Sequence, residues 1–195
     1  RNVACYPGSA NDLMNNHSIP FEMCVNAGAA CVMPAYNDVC DLPVTVNKWL
    51  LCDVLREQMG FGGLIISDQN AVDRMYDVNH LASSLQEAAE MAIQRGIDID
   101  IIGSEGTFQL LEESVKSGRL PERVIDSALE RLLIIKWRLG LFQKGVMFLK
   151  NKSNLFETIG HRTFSHNIIV TCAHSFICFS SYWIILFFTN KIVYS

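Results

Sequence analysis

The chain has little that marks a small secreted or metal-bound scaffold. Its seven cysteines, Cys5, Cys24, Cys31, Cys40, Cys52, Cys172 and Cys178, form no C-x-x-C pair, and their number is odd. That argues against a disulfide framework and against a structural zinc site. Charge is sparse at 18% of residues, and the net charge is −4. No basic surface for phosphates follows, so nucleic acid is not an expected partner. No G-x-G-x-x-G and no G-x-x-x-x-G-K-[ST] opens a helix, which removes the best sign of a dinucleotide or nucleotide site. Neither G-x-S-x-G nor H-E-x-x-H occurs, so a serine-hydrolase elbow and a zincin helix are excluded too.

What remains is apolar: half of the 195 residues are hydrophobic, ample for a sizeable core. The composition breaks near Gly145. Residues 1–145 carry 12 Lys+Arg against 19 Asp+Glu, and residues 146–195 carry 4 against 1. Aromatics go from 9 in the first 145 residues to 10 in the last 50. Two segments are therefore expected: an acidic α/β segment, 1–145, and an aromatic tail, 146–195.

Residues 1–20, rich in Pro, Gly and Asn, read as irregular. A short helix follows over Phe21–Ala27, then a buried strand over Ala29–Met33 that ends at Pro34. Asn37–Pro43 reads as loop. Thr45 is the expected cap of a helix running to Gly60. Leu64-Ile-Ile66 is apolar on both faces, as a buried parallel strand is. Helices are expected from His80 to Arg95, from Thr107 to Lys116, and from Pro121 to Gly140, with a third strand at Ile97–Ile102. Val124, Ile125, Ala128, Leu129, Leu132 and Leu133 would bury one face of the last helix. Strand–helix alternation without a hairpin signal means a parallel sheet with helical crossovers.

Active residues of parallel α/β folds gather at the carboxyl ends of strands. That rule selects Tyr36 and Asn37 after the first strand, Ser67, Asp68, Gln69 and Asn70 after the second, and Ser104 and Glu105 after the third. Asp68 is the sharpest of these, either a carboxylate at the pocket mouth or a cap on the following turn. Asp98 and Asp100 read as a solvated or salt-bridged strand end more readily than as mouth residues. His17 and His80 read as structural. Cys172, His174 and Cys178 match no strong zinc spacing, so no metal is expected.

The motifs Pro20-Phe21, Ala27-Gly28-Ala29, Val32-Met33, Tyr36-Asn37-Asp38, Asn47-Lys-Trp-Leu-Leu51, Asp53-Val-Leu-Arg56, Ser67-Asp68, Gly96-Ile-Asp-Ile-Asp100 and Arg131-Leu-Leu…Lys136-x-Arg-Leu-Gly-Leu-Phe142 occur in one order. Together they resemble glycoside hydrolase family 3, in its β-glucosidase/β-xylosidase branch, over about residues 20–142. The resemblance implies a (β/α)8 barrel, of which residues 1–145 would be the C-terminal half. It implies retaining hydrolysis of β-glycosidic bonds, most readily of a β-glucoside, with β-xyloside second, and no cofactor. Asp68 takes the place of the family nucleophile. Tyr36 and Met33 take places near the sugar site, and Gln69 stands where the family usually has tryptophan. The family's Lys-His pair has no counterpart in these 195 residues, and its acid/base glutamate would come from a following domain. The chain by itself is accordingly expected to be inactive, with non-catalytic interaction as the other reading. Members of the family are usually secreted or periplasmic.

Residues 146–195 resemble nothing in that family. Ile168–Phe188 is long and apolar enough for a membrane span, but its polar and β-branched content fits translated non-coding sequence better. With three strands of eight, the outer strands are expected to be open edges, and Val32 and Ile66 to lie on an uncovered barrel interior.

Overall fold

A computed structural model describes residues 4–101, 106–139 and 141–142, together with a strand at Ile185–Phe188. The sheet is built on β1 (Ala29–Met33). Short strands β2 (Asp38–Val39) and β3 (Leu42–Pro43) follow it, then β4 (Leu64–Ile65) and β5 (Ile185–Phe188). β1 and β4 pair in parallel, with Cys31 opposite Leu64 and Val32 opposite Ile65. The chain returns from β1 to β4 through the Trp49–Gln58 helix, a right-length crossover for a parallel pair. The third expected strand reduces to a parallel bridge between Ile66 and Ile99, with the Asp98 and Ser67 amides continuing the ladder.

Three local expectations are corrected. Residues 10–17 are helical, as Ala10–Asp12 running into the wide turn Leu13–His17. The Ser9 hydroxyl accepts the Asp12 amide at 3.1 Å and so starts this helix. Asn37–Pro43 contains a hairpin, β2 against β3. Its two-residue turn places both Cys40 (φ 51°) and Asp41 (φ 63°) in the left-handed region. Tight hairpins require that backbone, usually with Asn-Gly, so Cys-Asp gave no sign of it. Finally, Asn47 caps the Trp49–Gln58 helix instead of Thr45. Its Oδ1 accepts the Leu50 amide at 3.1 Å, and its Nδ2 donates to the Val39 carbonyl at 2.7 Å. Thr45 is fully buried.

The sheet has two differently covered faces because successive strand residues point to opposite sides. Val32 and Ile65 lie in the main core with Leu51 and Val54 of the Trp49–Gln58 helix and Ala88 and Ala92 of the Leu85–Gln94 helix. Leu64 and Ile66 pack instead with Ile99, Leu132 and Ile135. Val32 is thus in the helix-covered core and not on an open barrel interior, and Ile66 is half-buried beneath the last helix.

The last helix, Glu122–Arg138, presents a narrower buried face than its pattern suggests. Ala128 and Ile135 are buried, whereas Leu129 and Leu133 are exposed. The Leu85–Gln94 helix begins five residues later than expected. Ser84 Oγ accepts the Glu87 amide at 3.1 Å, and Glu87 reaches back to the Ser83 amide at 2.7 Å. This reciprocal cap fixes its start.

The β1 edge is not open. β5 pairs with it antiparallel, giving the order β4-β1-β5. Among the described residues no helix is long and apolar enough to cross a membrane. Apart from its β5 residues, the expected span at 168–188 lies outside the described residues, as do Cys172, His174 and Cys178.

Candidate active site

The parallel ladder brings the carboxyl ends of β1 and β4 side by side, and with them the two segments picked by the strand-end rule. β1 delivers Met33, which is buried, and then Tyr36. β4 delivers Ile66, the fully buried Ser67 and the half-buried Asp68. Met33 closes β1, while Tyr36 and Asp68 meet above the sheet.

Asp68 opens a tight turn. Its carbonyl accepts the Ala71 amide at 3.0 Å, and Asn70 takes a left-handed backbone (φ 59°). One carboxylate oxygen, Oδ1, accepts the Gln69 amide at 2.7 Å, which fixes the orientation of the group. The single Tyr36 hydroxyl proton has two acceptors within reach, the Gln69 carbonyl at 2.5 Å and the Asp68 carboxylate. Gln69 thus contributes both backbone groups to the site, while the residue itself is exposed. The Tyr36 hydroxyl is pushed above its ordinary pKa by burial, then by the Asp68 charge and its hydrogen bond to Asp68, with the Arg74 cation opposing. The Arg74 guanidinium lies over the Tyr36 ring, 5.1 Å from its centre. A cation over the ring face and a carboxylate at the hydroxyl hold Tyr36 from two directions.

A second layer lies beneath. Ser67 Oγ donates to Asp100 Oδ1 at 2.7 Å and accepts the Ile101 amide at 2.8 Å. Asp100 Oδ2 is buried without a partner. Asp73, also buried, accepts a short hydrogen bond from Thr107. Burial raises the Asp100 pKa, the Ser67 hydrogen bond opposes this, and the Asp73 charge adds to it. A carboxyl that holds its proton more tightly in the folded state stabilises fully below its unfolded pKa of about 3.9, and that contribution is lost as pH rises through the raised folded value. Asp100→Asn keeps an oxygen acceptor for Ser67 and removes the titration. We expect the melting temperature of the variant, relative to the parent, to rise between pH 4 and pH 7. Parallel melting curves over that range would contradict the buried-carboxyl assignment.

Asp98 is the salt-bridged member of the pair. It accepts from Arg56 at 2.6 Å, from Arg131 at 2.7 Å and from the Ile65 amide at 2.8 Å. It locks the base of the sheet and does not join the site. The two histidines make local contacts. His17 stands edge-on to Tyr6, and His80 Nδ1 lies 3.2 Å from the Tyr76 carbonyl. Asn37 is buried and donates to the Ala4 carbonyl at 3.1 Å. Ser104 and Glu105 lie outside the described residues. Arg74, Asp73 and Thr107 escaped sequence reasoning, because nothing in the pattern places a turn residue above Tyr36 or a threonine beside Asp73. Among the described residues no group of three His, Cys, Asp or Glu side chains is arranged to hold a metal ion.

Residues 1–135 match the model of the glycosyl hydrolase family 3 N-terminal domain. The chain belongs to glycoside hydrolase family 3. The match begins at residue 1, so it takes in the N-terminal segment that the motifs beginning at Pro20 leave out. A β-xylosidase of Formosa agariphila is 32% identical over 153 residues, covering 75% of this chain and 21% of that protein. A periplasmic β-glucosidase of Salmonella typhimurium is 32% identical over 135 residues, covering 69% and 17%. A β-glucosidase from Listeria innocua, solved with isofagomine, superposes with a TM-score of 0.69 at 31% identity, over 89% of this chain and 23% of that one. The chain spans about a fifth of the length of the curated relatives it matches. The family domain is a TIM-barrel-like α/β fold, and the helices and parallel strands here accord with it.

Proposed function

We propose that this chain is the nucleophile-bearing part of a retaining exo-β-glycosidase, with Asp68 as nucleophile. The observation that carries this is the pairing of Asp68 with Tyr36 at the carboxyl ends of two adjacent parallel strands. Retaining enzymes need two carboxyl groups about 5–5.5 Å apart. Asp68 attacks the anomeric carbon with its carboxylate as the glycosidic bond breaks, giving a glycosyl ester. An acid/base glutamate protonates the leaving oxygen and then activates the water that cleaves the ester. The hydrogen bond from the Gln69 amide to Oδ1 orients the Asp68 carboxylate for attack. Tyr36 steadies the carboxylate from the side, with Met33 and Gln69 lining the sugar subsite. Residues 1–145 form the C-terminal half of the barrel domain, and residues 146–195 are a tail foreign to it.

A β-linked glucoside is the proposed substrate and a β-xyloside the runner-up, because the segment after Ser67-Asp68 lacks the Cys-Asp associated with the xylosidase branch. The names of the relatives divide between the two activities. The other reading is a non-catalytic fragment. The test places residues 1–142 in the corresponding segment of an intact family β-glucosidase and adds a 2-deoxy-2-fluoro-β-glucoside with a good leaving group. We expect a stable adduct on the peptide containing Asp68, faster with the glucoside than with the xyloside. An adduct on another carboxylate overturns the assignment. The 195-residue chain alone is expected not to turn over an aryl β-glucoside, and turnover comparable to an intact enzyme would refute the fragment reading.

A further inference from the structure

β1 has two edges, and the structure fills them in different ways. On one side lies β4, parallel, with the Ile66 amide donating to the Val32 carbonyl at 2.9 Å. On the other lies β5, antiparallel, with Cys31 opposite Phe187, Val32 opposite Leu186 and Met33 opposite Ile185. The N–H and C=O of one strand residue point to the same side, and neighbours alternate. Since Val32 bonds toward β4, the main-chain groups of Cys31 and Met33 turn toward β5. The register makes Cys31–Phe187 and Met33–Ile185 the hydrogen-bonded pairs and Val32–Leu186 the non-bonded one between them.

A TIM-type barrel is parallel throughout, each strand lying between two parallel neighbours. An antiparallel strand beside β1 is foreign to that closure, and it sits where a barrel neighbour of β1 would lie. An uncovered edge strand of this kind, Ala-Ala-Cys-Val-Met, is a template for pairing with another chain. We propose that Ile185–Phe188 is an intramolecular plug of the β1 edge. It satisfies the outward main-chain groups of Cys31 and Met33, and it excludes a parallel barrel strand from that edge until it is displaced. The plug gives the C-terminal segment a role whether or not Asp68 is a nucleophile.

Amide hydrogen exchange on the full 195-residue chain tests this. Phe187→Pro removes the donor opposite Cys31. Exchange at Cys31 and Met33 is expected to quicken at least tenfold, while Val32 and the Trp49–Gln58 helix keep their protection. Unchanged exchange at Cys31 and Met33 overturns the proposal. If the variant loosens everywhere, cross-linking decides. Opposed residues of an antiparallel pair have Cα atoms about 5.5 Å apart, within disulfide reach. Mild oxidation of Phe187→Cys is expected to give a monomer bridged between Cys31 and position 187. Leu186→Cys, which the register sets opposite Val32, is expected not to bridge to Cys31. No bridge at position 187, or equal bridging at both, overturns the register and with it the plug.

Discussion

Asp98→Ala is expected to destabilise the chain by about 3–5 kcal/mol, the cost of breaking a buried ion pair from one side. The Asp98 carboxylate is wholly buried and receives two guanidiniums and one backbone amide. Arg56 also donates to the Phe61 and Gly63 carbonyls at 3.2 and 2.9 Å, so it cannot swing out to water without stripping those groups as well. Burial already pushes Arg56 below its ordinary pKa, Asp98 opposes this, and the neighbouring Arg131 cation adds to it. Without Asp98, two like charges would face each other at the base of the sheet, and the Ile65 amide would lose its acceptor. A typical domain has about 5–15 kcal/mol of stability in all. The loss corresponds to a fall in melting temperature of roughly 6–20 °C for a chain of this size. Asp98→Asn, which keeps an acceptor for Ile65, should fall between. Glu112→Ala, which removes an exposed pair with Lys116, should leave the melting curve close to that of the parent. Denaturant melts of the three variants measure this, and an Asp98→Ala variant within 1 kcal/mol of the parent would show that the cluster is not what holds the sheet base.

That cluster shows where sequence reasoning reaches and where it stops. Asp98 between isoleucines reads as a salt-bridged strand end, and so it is. The identity of its partners was not legible, because Arg56 and Arg131 lie 42 and 33 residues away and meet only through the fold. The apolar runs at 29–33 and 64–66 announced buried parallel strands, since nothing polar interrupts them. The meeting of Asp68 and Tyr36 was legible for the same reason: each comes within three residues of where such a run ends. The hairpin at Cys40-Asp41 was not, because its residues are atypical for a turn with two left-handed positions. Periodicity gave the last helix its length but not its buried width. Leu129 and Leu133 fall on the helical stripe, yet nothing among the described residues covers them.

The exposed stripe on that helix leads to the second large effect: the 195-residue chain is expected to self-associate at micromolar concentration and to bind an apolar dye. Trp137 is 71% exposed, Phe142 60%, Leu129 47% and Leu133 42%. With Ile134 they line one shallow groove of about 480 Å³. Full burial of each such side chain is worth roughly 1.5–3 kcal/mol. Four of them, partly exposed, represent several kcal/mol recoverable by covering the groove, comparable to the stability of a small domain. Scattered surface leucines carry no such consequence, but a contiguous apolar patch does. The groove belongs to the face of Glu122–Arg138 turned away from Ala128 and Ile135, so charging it leaves the core intact. Leu133→Lys combined with Trp137→Lys should therefore lower association and dye binding severalfold without reducing the cooperativity of melting. Sedimentation velocity and dye fluorescence on the parent and the double variant read both quantities. A monodisperse parent with a sharp melt and no dye uptake would count against the half-barrel reading and favour a self-sufficient open sheet. If the double variant associates as strongly as the parent, the contact lies elsewhere, and the β1 edge, once unplugged, becomes the next surface to charge.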